Sequence, residues 1–87
     1  MLERSIERRL VDKVKAAGGL ALKWTAPGFA GVPDRIVFLQ NRVVFVELKA
    51  PGKKLAPLQA RVHQTLQALG ADVRTVDSYA GVDEVVG

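Results

Sequence analysis

The chain has 87 residues, with 13 Lys and Arg against 9 Asp and Glu, and it contains no cysteine. This length fits one domain over residues 1–87, and the lack of cysteine excludes disulfides, thiolate metal sites and cysteine nucleophiles. The apolar runs are too short to span a membrane and the N-terminus does not read as a secretory leader, so we expect a cytosolic protein without membrane contact.

The positive charge is concentrated in one part of the chain. Residues 1–61 carry a net charge of +7, whereas residues 62–87 carry −3. A basic segment of this kind suggests a surface that faces a polyanion such as nucleic acid. Ordinary solvated surface charge explains the distribution equally well at this point.

The start of the chain predicts a helix over residues 2–17, followed by a short strand. The helix is indicated by apolar residues at helical spacing, which are Leu2, Ile6, Leu10, Val14 and Ala17. Gly18-Gly19 ends this pattern. Residues 20–24 alternate as a strand does, and residues 25–33 contain enough proline and glycine to predict a loop.

Two β-rich runs over residues 35–39 and 43–48 predict a β-hairpin, with Gln40-Asn41-Arg42 as its tip. Both faces of the hairpin are apolar, which predicts a central position in a sheet that is covered on each side.

The second half of the chain predicts a helix, a strand and a short last helix. A basic loop over residues 50–56 leads to a helix that begins at Pro57 and ends at Gly70. The core face of this helix is predicted to carry Leu58, Val62, Leu66 and Leu69. Residues 71–76 read as a fourth strand, and Ser78 is placed to cap a helix over residues 79–86. The predicted order is αβββαβ(α).

Three charged residues interrupt the apolar pattern of the hairpin: Asp34, Glu47 and Lys49. Unpaired charges are rare in central strands. Glu47 and Lys49 project to the same face because side chains alternate along a strand. If Asn41-Arg42 is a two-residue turn, Asp34 lies opposite Lys49 with Glu47 as its diagonal neighbour. A longer loop with a bulge would change this register.

Two carboxylates and an ammonium group at the end of a hairpin suit a site for Mg²⁺ or Mn²⁺. Hard cations take oxygen ligands, and such an ion polarises a phosphate oxygen and activates bound water. A neighbouring lysine can orient the water and stabilise developing negative charge. A structural Asp–Lys–Glu ion-pair network is the alternative on residue types alone.

The same residues resemble the PD-(D/E)xK nuclease signature. Val32-Pro33-Asp34 is followed, after twelve residues, by Glu47-Leu48-Lys49. The flanking sequence is similar to the virus-type replication-repair nuclease (VRR-NUC) family. The similar stretches, which extend over about residues 3–86, are Ile6–Val11, Gly28–Arg35, Phe45–Gly52, Pro57–Gln59, Leu69-Gly70 and Val76–Ser78. One departure from the family pattern is Ala56, where many members have a serine that caps the second helix.

The resemblance implies an α/β fold with an αβββαβ restriction-endonuclease-like core, in which helices flank a mixed four-stranded sheet. It also implies a Mg²⁺- or Mn²⁺-dependent endodeoxyribonuclease, of viral or prophage type, in a bacterial or phage-infected cell. Stand-alone members of this size look like homodimers that select branched DNA such as four-way junctions. The alternatives are a non-catalytic nucleic-acid-binding module and a nuclease subunit that needs a targeting partner.

Roles at the site also follow from the resemblance. Asp34 and Glu47 would bind the metal together with the backbone carbonyl of Leu48. Lys49 would orient the attacking water and stabilise the negative charge of the transition state. Glu7 would hold a metal-bound water or a second ion, with Glu3 as the alternative acid of the first helix.

Other polar residues around the motif are candidates for contacts with the substrate. Gln59 would hydrogen-bond Lys49 or the scissile phosphate, unless it is an ordinary surface glutamine. Candidate phosphate contacts flank the motif at Arg35, Lys53, Lys54 and Arg61. His63 follows Gln59 by one helical turn and could face the same cleft, where it would contact phosphate or a group that supports the site. It is a weaker candidate, since a single helical histidine is more often a surface or packing residue.

Overall fold

A four-stranded mixed sheet forms the centre of the computed structural model, which describes residues 1–87. The elements are α1 (Glu3–Ala16), β1 (Leu20–Lys23), β2 (Arg35–Leu39), β3 (Arg42–Leu48), α2 (Pro57–Ala68), β4 (Val73–Val76) and α3 (Tyr79–Val86). The strands lie in the order β1-β2-β3-β4, and only the β3–β4 pair is parallel. The predicted element order and the mixed four-stranded sheet are therefore confirmed. No helix has the length and apolar character needed to cross a membrane.

The main core lies between one face of the sheet and the helices α1 and α3. The α1 residues Ile6, Leu10 and Val14 are fully buried there, as their helical spacing predicts. The sheet and α3 contribute Val37, Val44, Val46, Leu48, Val76, Val82 and Val85. Helix α3 begins where predicted, because Ser78 Oγ accepts a hydrogen bond from the Gly81 N–H at 3.0 Å.

The second face of the sheet is covered only in part, and the prediction of a hairpin covered on each side is wrong on this face. Helix α2 packs near β4, but four large apolar side chains farther along the face remain 41–54% exposed: Leu20, Leu22, Phe38 and Val43. Leu20 pairs with Phe38, and Phe38 pairs with Val43, so these residues are neighbours across three strands. We call these four residues the open sheet face.

The hairpin turn differs from the predicted one by one residue. Leu39 pairs with Arg42, so the two turn residues are Gln40 and Asn41, and Asn41 has a positive φ of 63°. This register pairs Arg35 with Val46 and brings Asp34 level with Glu47 instead of Lys49. The partner of each residue thus changes by two positions, and because side chains alternate with a period of two, every residue keeps its predicted face.

Helix α2 presents to the sheet a face that matches the predicted one only in part. Of the predicted core residues, Val62 is buried and Leu66 is partly buried, whereas Leu58 is 43% exposed and Leu69, just after the helix, is 81% exposed. His63 is buried as well, because the inward face is shifted toward Gln59 and His63. These two polar side chains lie one helical turn apart and both approach Glu47.

Candidate active site

Asp34 is fixed by strands on both of its sides. Its backbone carbonyl accepts a hydrogen bond from Trp24 N–H at 2.9 Å, and its Oδ2 accepts one from the Leu48 N–H at 2.8 Å. The second contact ties the carboxylate to the backbone of β3 next to Glu47. The register of the hairpin therefore brings the two acids of the motif together at the end of β3.

Glu47 is an almost fully buried carboxylate, with 2% of its surface exposed. Its Oε2 lies 3.3 Å from Lys49 Nζ and accepts a hydrogen bond from Gln59 Nε2 at 3.2 Å. Its Oε1 has no hydrogen-bond partner. Burial raises the pKa of Glu47, and the negative charge of Asp34 raises it further, although the hydrogen bond and charge of Lys49 lower it in part.

Gln59 connects the other members of the site through both ends of its amide. Its Oε1 accepts hydrogen bonds from Lys49 Nζ at 3.1 Å and from the Ala56 N–H at 3.0 Å, while its Nε2 donates to Glu47. Pro57 starts the helix, so Gln59 stands in the first turn, from which it satisfies a free N–H of the helix start. The side chain that caps this helix thus also orients the lysine and glutamate of the motif.

Glu7 is engaged by an arginine in the structure. Its Oε2 accepts a hydrogen bond from Arg35 Nε at 3.0 Å, and Arg35 also donates from Nη1 to the Ala21 carbonyl at 3.0 Å. The Arg35 side chain is only 14% exposed. The prediction that Arg35 contacts a DNA phosphate therefore does not fit, because its guanidinium is already held between α1 and β1.

A cavity of about 270 Å³ lies beside Asp34. Its lining includes both acids of the first helix as well as the loop before β2, through Glu3, Glu7, Lys23, Trp24, Thr25, Val32, Pro33 and Asp34. Either helix-1 acid is therefore near Asp34, but only Glu7 is fixed by an ion pair. Glu47 is not part of the lining and lies deeper in the fold.

The remaining predicted DNA contacts divide into exposed and buried residues. Lys53, Lys54 and Arg61 are exposed, as a phosphate contact requires. His63 is 3% exposed, and its Nε2 lies 4.0 Å from Glu47 Oε1, so its predicted contact with DNA does not fit the structure. The spacing of four residues between Gln59 and His63 predicted that both side chains face the same cleft, and both do approach Glu47.

The donor atoms at this site suit a hard cation that keeps part of its water shell. No group of three Asp, Glu, His or Cys side chains that could hold a metal is present. The groups that could hold such an ion are the carboxylates of Asp34 and Glu47, together with the Leu48 carbonyl that the family resemblance implies. Mg²⁺ is commonly bound by one or two carboxylates plus water, and a buried carboxylate oxygen without a partner, as in Glu47, is costly unless a positive group balances it.

Comparison with known proteins found a curated relative and solved structures of clear similarity, whereas no family model matched. The relative is "Putative nuclease p44" of Acyrthosiphon pisum secondary endosymbiont phage 1, which is 52% identical over 77 residues, or 87% of this chain and 83% of the relative. One of the solved structures is described as a VRR_NUC domain. It is 32% identical, has a TM-score of 0.89, and matches over 97% of this chain and 92% of its own. The chain therefore belongs to the VRR-NUC family of nucleases.

Proposed function

We propose that this protein is a Mg²⁺- or Mn²⁺-dependent endodeoxyribonuclease whose metal is held by Asp34, Glu47 and the Leu48 carbonyl. The observation that carries the proposal is the convergence of Asp34, Glu47 and Lys49 at the end of β3, with Gln59 bonded to both Glu47 and Lys49. The family resemblance also supports a single domain over residues 1–87 that acts in the cytoplasm of a bacterial or phage-infected cell.

The chemistry of the site is hydrolysis of a phosphodiester. A bound divalent ion supplies Lewis-acid activation of water and neutralises phosphate charge. Lys49 places a positive charge beside the carboxylates, where it orients the attacking water and stabilises the charge that develops on the phosphate. Gln59 limits the movement of Lys49 Nζ by accepting its hydrogen bond at 3.1 Å. The Asp34 carboxylate accepts its hydrogen bond from the backbone N–H of Leu48, so the partner that orients it is the rigid backbone of β3 and not another side chain.

Glu7 has a secondary part in this proposal. Its carboxylate shares the cavity with Asp34, which suits an acid that holds a water or a second ion. Arg35 fixes the orientation of Glu7 and balances its charge when no ion is present. Glu3 lines the same cavity but is exposed, so it is less well positioned for this role.

Contacts with DNA are assigned to the exposed cations Lys53, Lys54 and Arg61. The loop that carries the two lysines is anchored to the end of β4, because Asp77 Oδ2 accepts a hydrogen bond from the Gly52 N–H at 3.2 Å. Each lysine or arginine that neutralises a phosphate makes binding more dependent on salt.

The proposal includes a homodimeric state and selectivity for branched DNA such as four-way junctions. The open sheet face supports this proposal, since exposed apolar patches in small proteins mark interaction sites. It would form the apolar centre of an interface that buries about 800 Å² on each partner. Ile36 and Phe45 lie between Phe38 and Val43 of this face and the acids Asp34 and Glu47. Two copies joined here would hold two active sites close to one interface, as cleavage of two strands of a junction requires.

The decisive experiment is cleavage of a four-way junction with Mn²⁺, compared with a linear duplex made from the same arm sequences. We expect the wild type to cut the junction faster, and Asp34→Ala and Lys49→Ala to reduce cleavage at least about 100-fold. Gln64→Ala, an exposed change on α2, serves as the control that leaves cleavage unchanged.

The other outcomes identify the alternatives. Binding of the junction without any cleavage, in wild type and variants alike, would indicate a non-catalytic nucleic-acid-binding module. If the wild type binds metal but cleaves DNA only after a cell extract is added, the protein would be a nuclease subunit that needs a targeting partner. Equal cleavage of the junction and the duplex would contradict the selectivity for branched DNA but not the nuclease activity.

A further inference from the structure

Two buried polar side-chain atoms lack a hydrogen-bond partner, and they face each other. They are Glu47 Oε1 and His63 Nε2, and they lie 4.0 Å apart. Both residues are at most 3% exposed, so bulk water does not supply the missing partner. Buried polar groups in native proteins are nearly always hydrogen-bonded, and an imidazole with its proton on Nε2 can donate that proton to the carboxylate oxygen Oε1.

The surrounding contacts explain why only one oxygen of Glu47 is free. Its Oε2 already interacts with Lys49 Nζ and Gln59 Nε2, so both of these donors lie on one side of the carboxylate. His63 follows Gln59 by one helical turn, and it approaches the other oxygen. A single helix, α2, thus reaches both oxygens of this carboxylate.

The position of α2 is fixed by the loop that precedes Asp34. Gly31 in this loop has a φ of 91°, and a Cβ there would lie 3.0 Å from Val62 Cγ2 and 3.3 Å from the carbonyl oxygen of Leu58. Loop and helix are therefore in close contact directly beside His63. The two atoms lie 4.0 Å apart, so a displacement of about 1 Å of the ring or the carboxylate brings them to hydrogen-bond distance.

We infer that His63 is a positioning residue for Glu47, in which a hydrogen bond donated by the Nε2–H of His63 to Oε1 of Glu47 fixes the rotation of the carboxylate for metal binding. This inference rests on the proposed function, because it assumes that Glu47 is a metal ligand. Groups that hydrogen-bond a ligating carboxylate affect metal affinity strongly, typically by 10- to 100-fold. If His63 only filled space, an apolar side chain would be more stable at this position, because burying the unpaired Nε2 costs free energy of folding.

The first test measures Mn²⁺ binding without DNA, by titration calorimetry, for the wild type, His63→Gln and His63→Leu. Glutamine keeps hydrogen-bonding groups at this position, whereas leucine keeps the bulk and removes them. We expect His63→Leu to weaken Mn²⁺ binding about tenfold or more and His63→Gln to stay within about threefold of the wild type. Equal binding by all three proteins, or equal weakening in both variants, would overturn the inference.

Asp34→Ala separates this inference from the proposed function. If Asp34→Ala loses Mn²⁺ binding while His63→Leu retains it, the proposed metal site stands and the role of His63 is wrong. If the wild type binds no Mn²⁺, or Asp34→Ala binds it as the wild type does, the proposed metal site fails and the inference fails with it.

A second measurement needs no variant of His63. His63 is the only histidine in the chain, so its ring nitrogen signals in NMR are unambiguous. We expect Mg²⁺ to shift the Nε2 signal of the wild type and to leave it unchanged in Asp34→Ala. An Nε2 signal that does not respond to Mg²⁺ in the wild type, under conditions where calorimetry detects binding, would overturn the inference even if the leucine variant does not fold.

Discussion

Glu7 Oε2 accepts a hydrogen bond from Arg35 Nε at 3.0 Å, which ties the first helix to the strand that begins one residue after Asp34. Arg35 also donates to the Ala21 carbonyl, so one guanidinium joins α1, β1 and β2. This arrangement holds the helix-1 acid over the cavity beside Asp34. A residue that the sequence suggested for DNA binding is therefore a structural support of the site.

Arg35→Ala is expected to destabilise the protein. The substitution removes a largely buried ion pair and leaves the Ala21 carbonyl without this donor, which costs about 1–3 kcal/mol in free energy of unfolding. Urea denaturation measures the change. Lys53→Ala is the matched control, because Lys53 is exposed and its removal should change stability by less than about 0.5 kcal/mol.

The same two variants distinguish support of the fold from contact with phosphate. Lys53→Ala should reduce the slope of log binding constant against log salt by about 1, as loss of one phosphate contact does. Arg35→Ala, measured where it remains folded, should leave this slope unchanged. A normal stability together with a reduced slope for Arg35→Ala would show that its guanidinium contacts DNA after all.

Gln59→Ala is expected to slow cleavage about 10- to 100-fold, because Lys49 and Glu47 lose the amide that orients them both. The variant should also lose about 0.5–1 kcal/mol of stability, since the Ala56 N–H loses its acceptor at the helix start. Single-turnover cleavage and thermal unfolding measure the two effects. Gln64→Ala on the same helix is exposed and should show neither, and unchanged cleavage by Gln59→Ala would contradict the role of the amide.

Glu47→Gln is expected to abolish cleavage and to stabilise the metal-free protein at neutral pH. Burial raises the pKa of Glu47 in the folded state above its usual 4.5, so the folded protein holds this proton more tightly than the unfolded chain. The contribution of Glu47 to stability is then complete below about pH 4.5 and is lost as pH rises through the raised pKa.

Thermal unfolding in the presence of a chelator tests this sign. The advantage of Glu47→Gln over the wild type should be larger at pH 8 than at pH 5, because the neutral amide does not ionise. A wild type that is more stable than the variant at pH 8 would mean that the contacts with Lys49 outweigh the cost of burial.

Sequence periodicity was sufficient to predict the elements of this fold but not the register of the hairpin. Both faces of the hairpin are apolar, so no alternation of polar and apolar residues distinguishes the Gln40-Asn41 turn from Asn41-Arg42. The face of Asp34 was nevertheless predicted correctly, because the two registers differ by two residues and side chains repeat with the same period.

The interior of the site was less predictable, because it depends on contacts between distant elements. Val62 of the predicted inward face of α2 is buried, but Leu58 and Leu69 are exposed, and the polar residues Gln59 and His63 approach the buried Glu47. The periodicity of apolar residues along a helix does not detect polar side chains that are buried against a polar partner. The spacing of four residues between Gln59 and His63 was the signal that placed both side chains on one face.

Phe38→Ser is expected to convert the proposed homodimer into a monomer, as measured by sedimentation equilibrium. Phe38 lies at the centre of the open sheet face, paired with Leu20 on one side and Val43 on the other, and it is 41% exposed. Replacing it with serine puts a polar group at the apolar centre of the interface, while its exposure keeps the cost to the fold itself small.

Phe29→Ser is the control for this substitution, because Phe29 is 57% exposed but lies in the loop outside the open sheet face. It should retain the dimeric mass. The monomeric Phe38→Ser protein should also lose the proposed preference for a junction over a linear duplex while it still binds Mn²⁺, since the proposed metal site does not include this face. A dimeric mass for Phe38→Ser would place the interface elsewhere, and a monomeric wild type would contradict the homodimer itself.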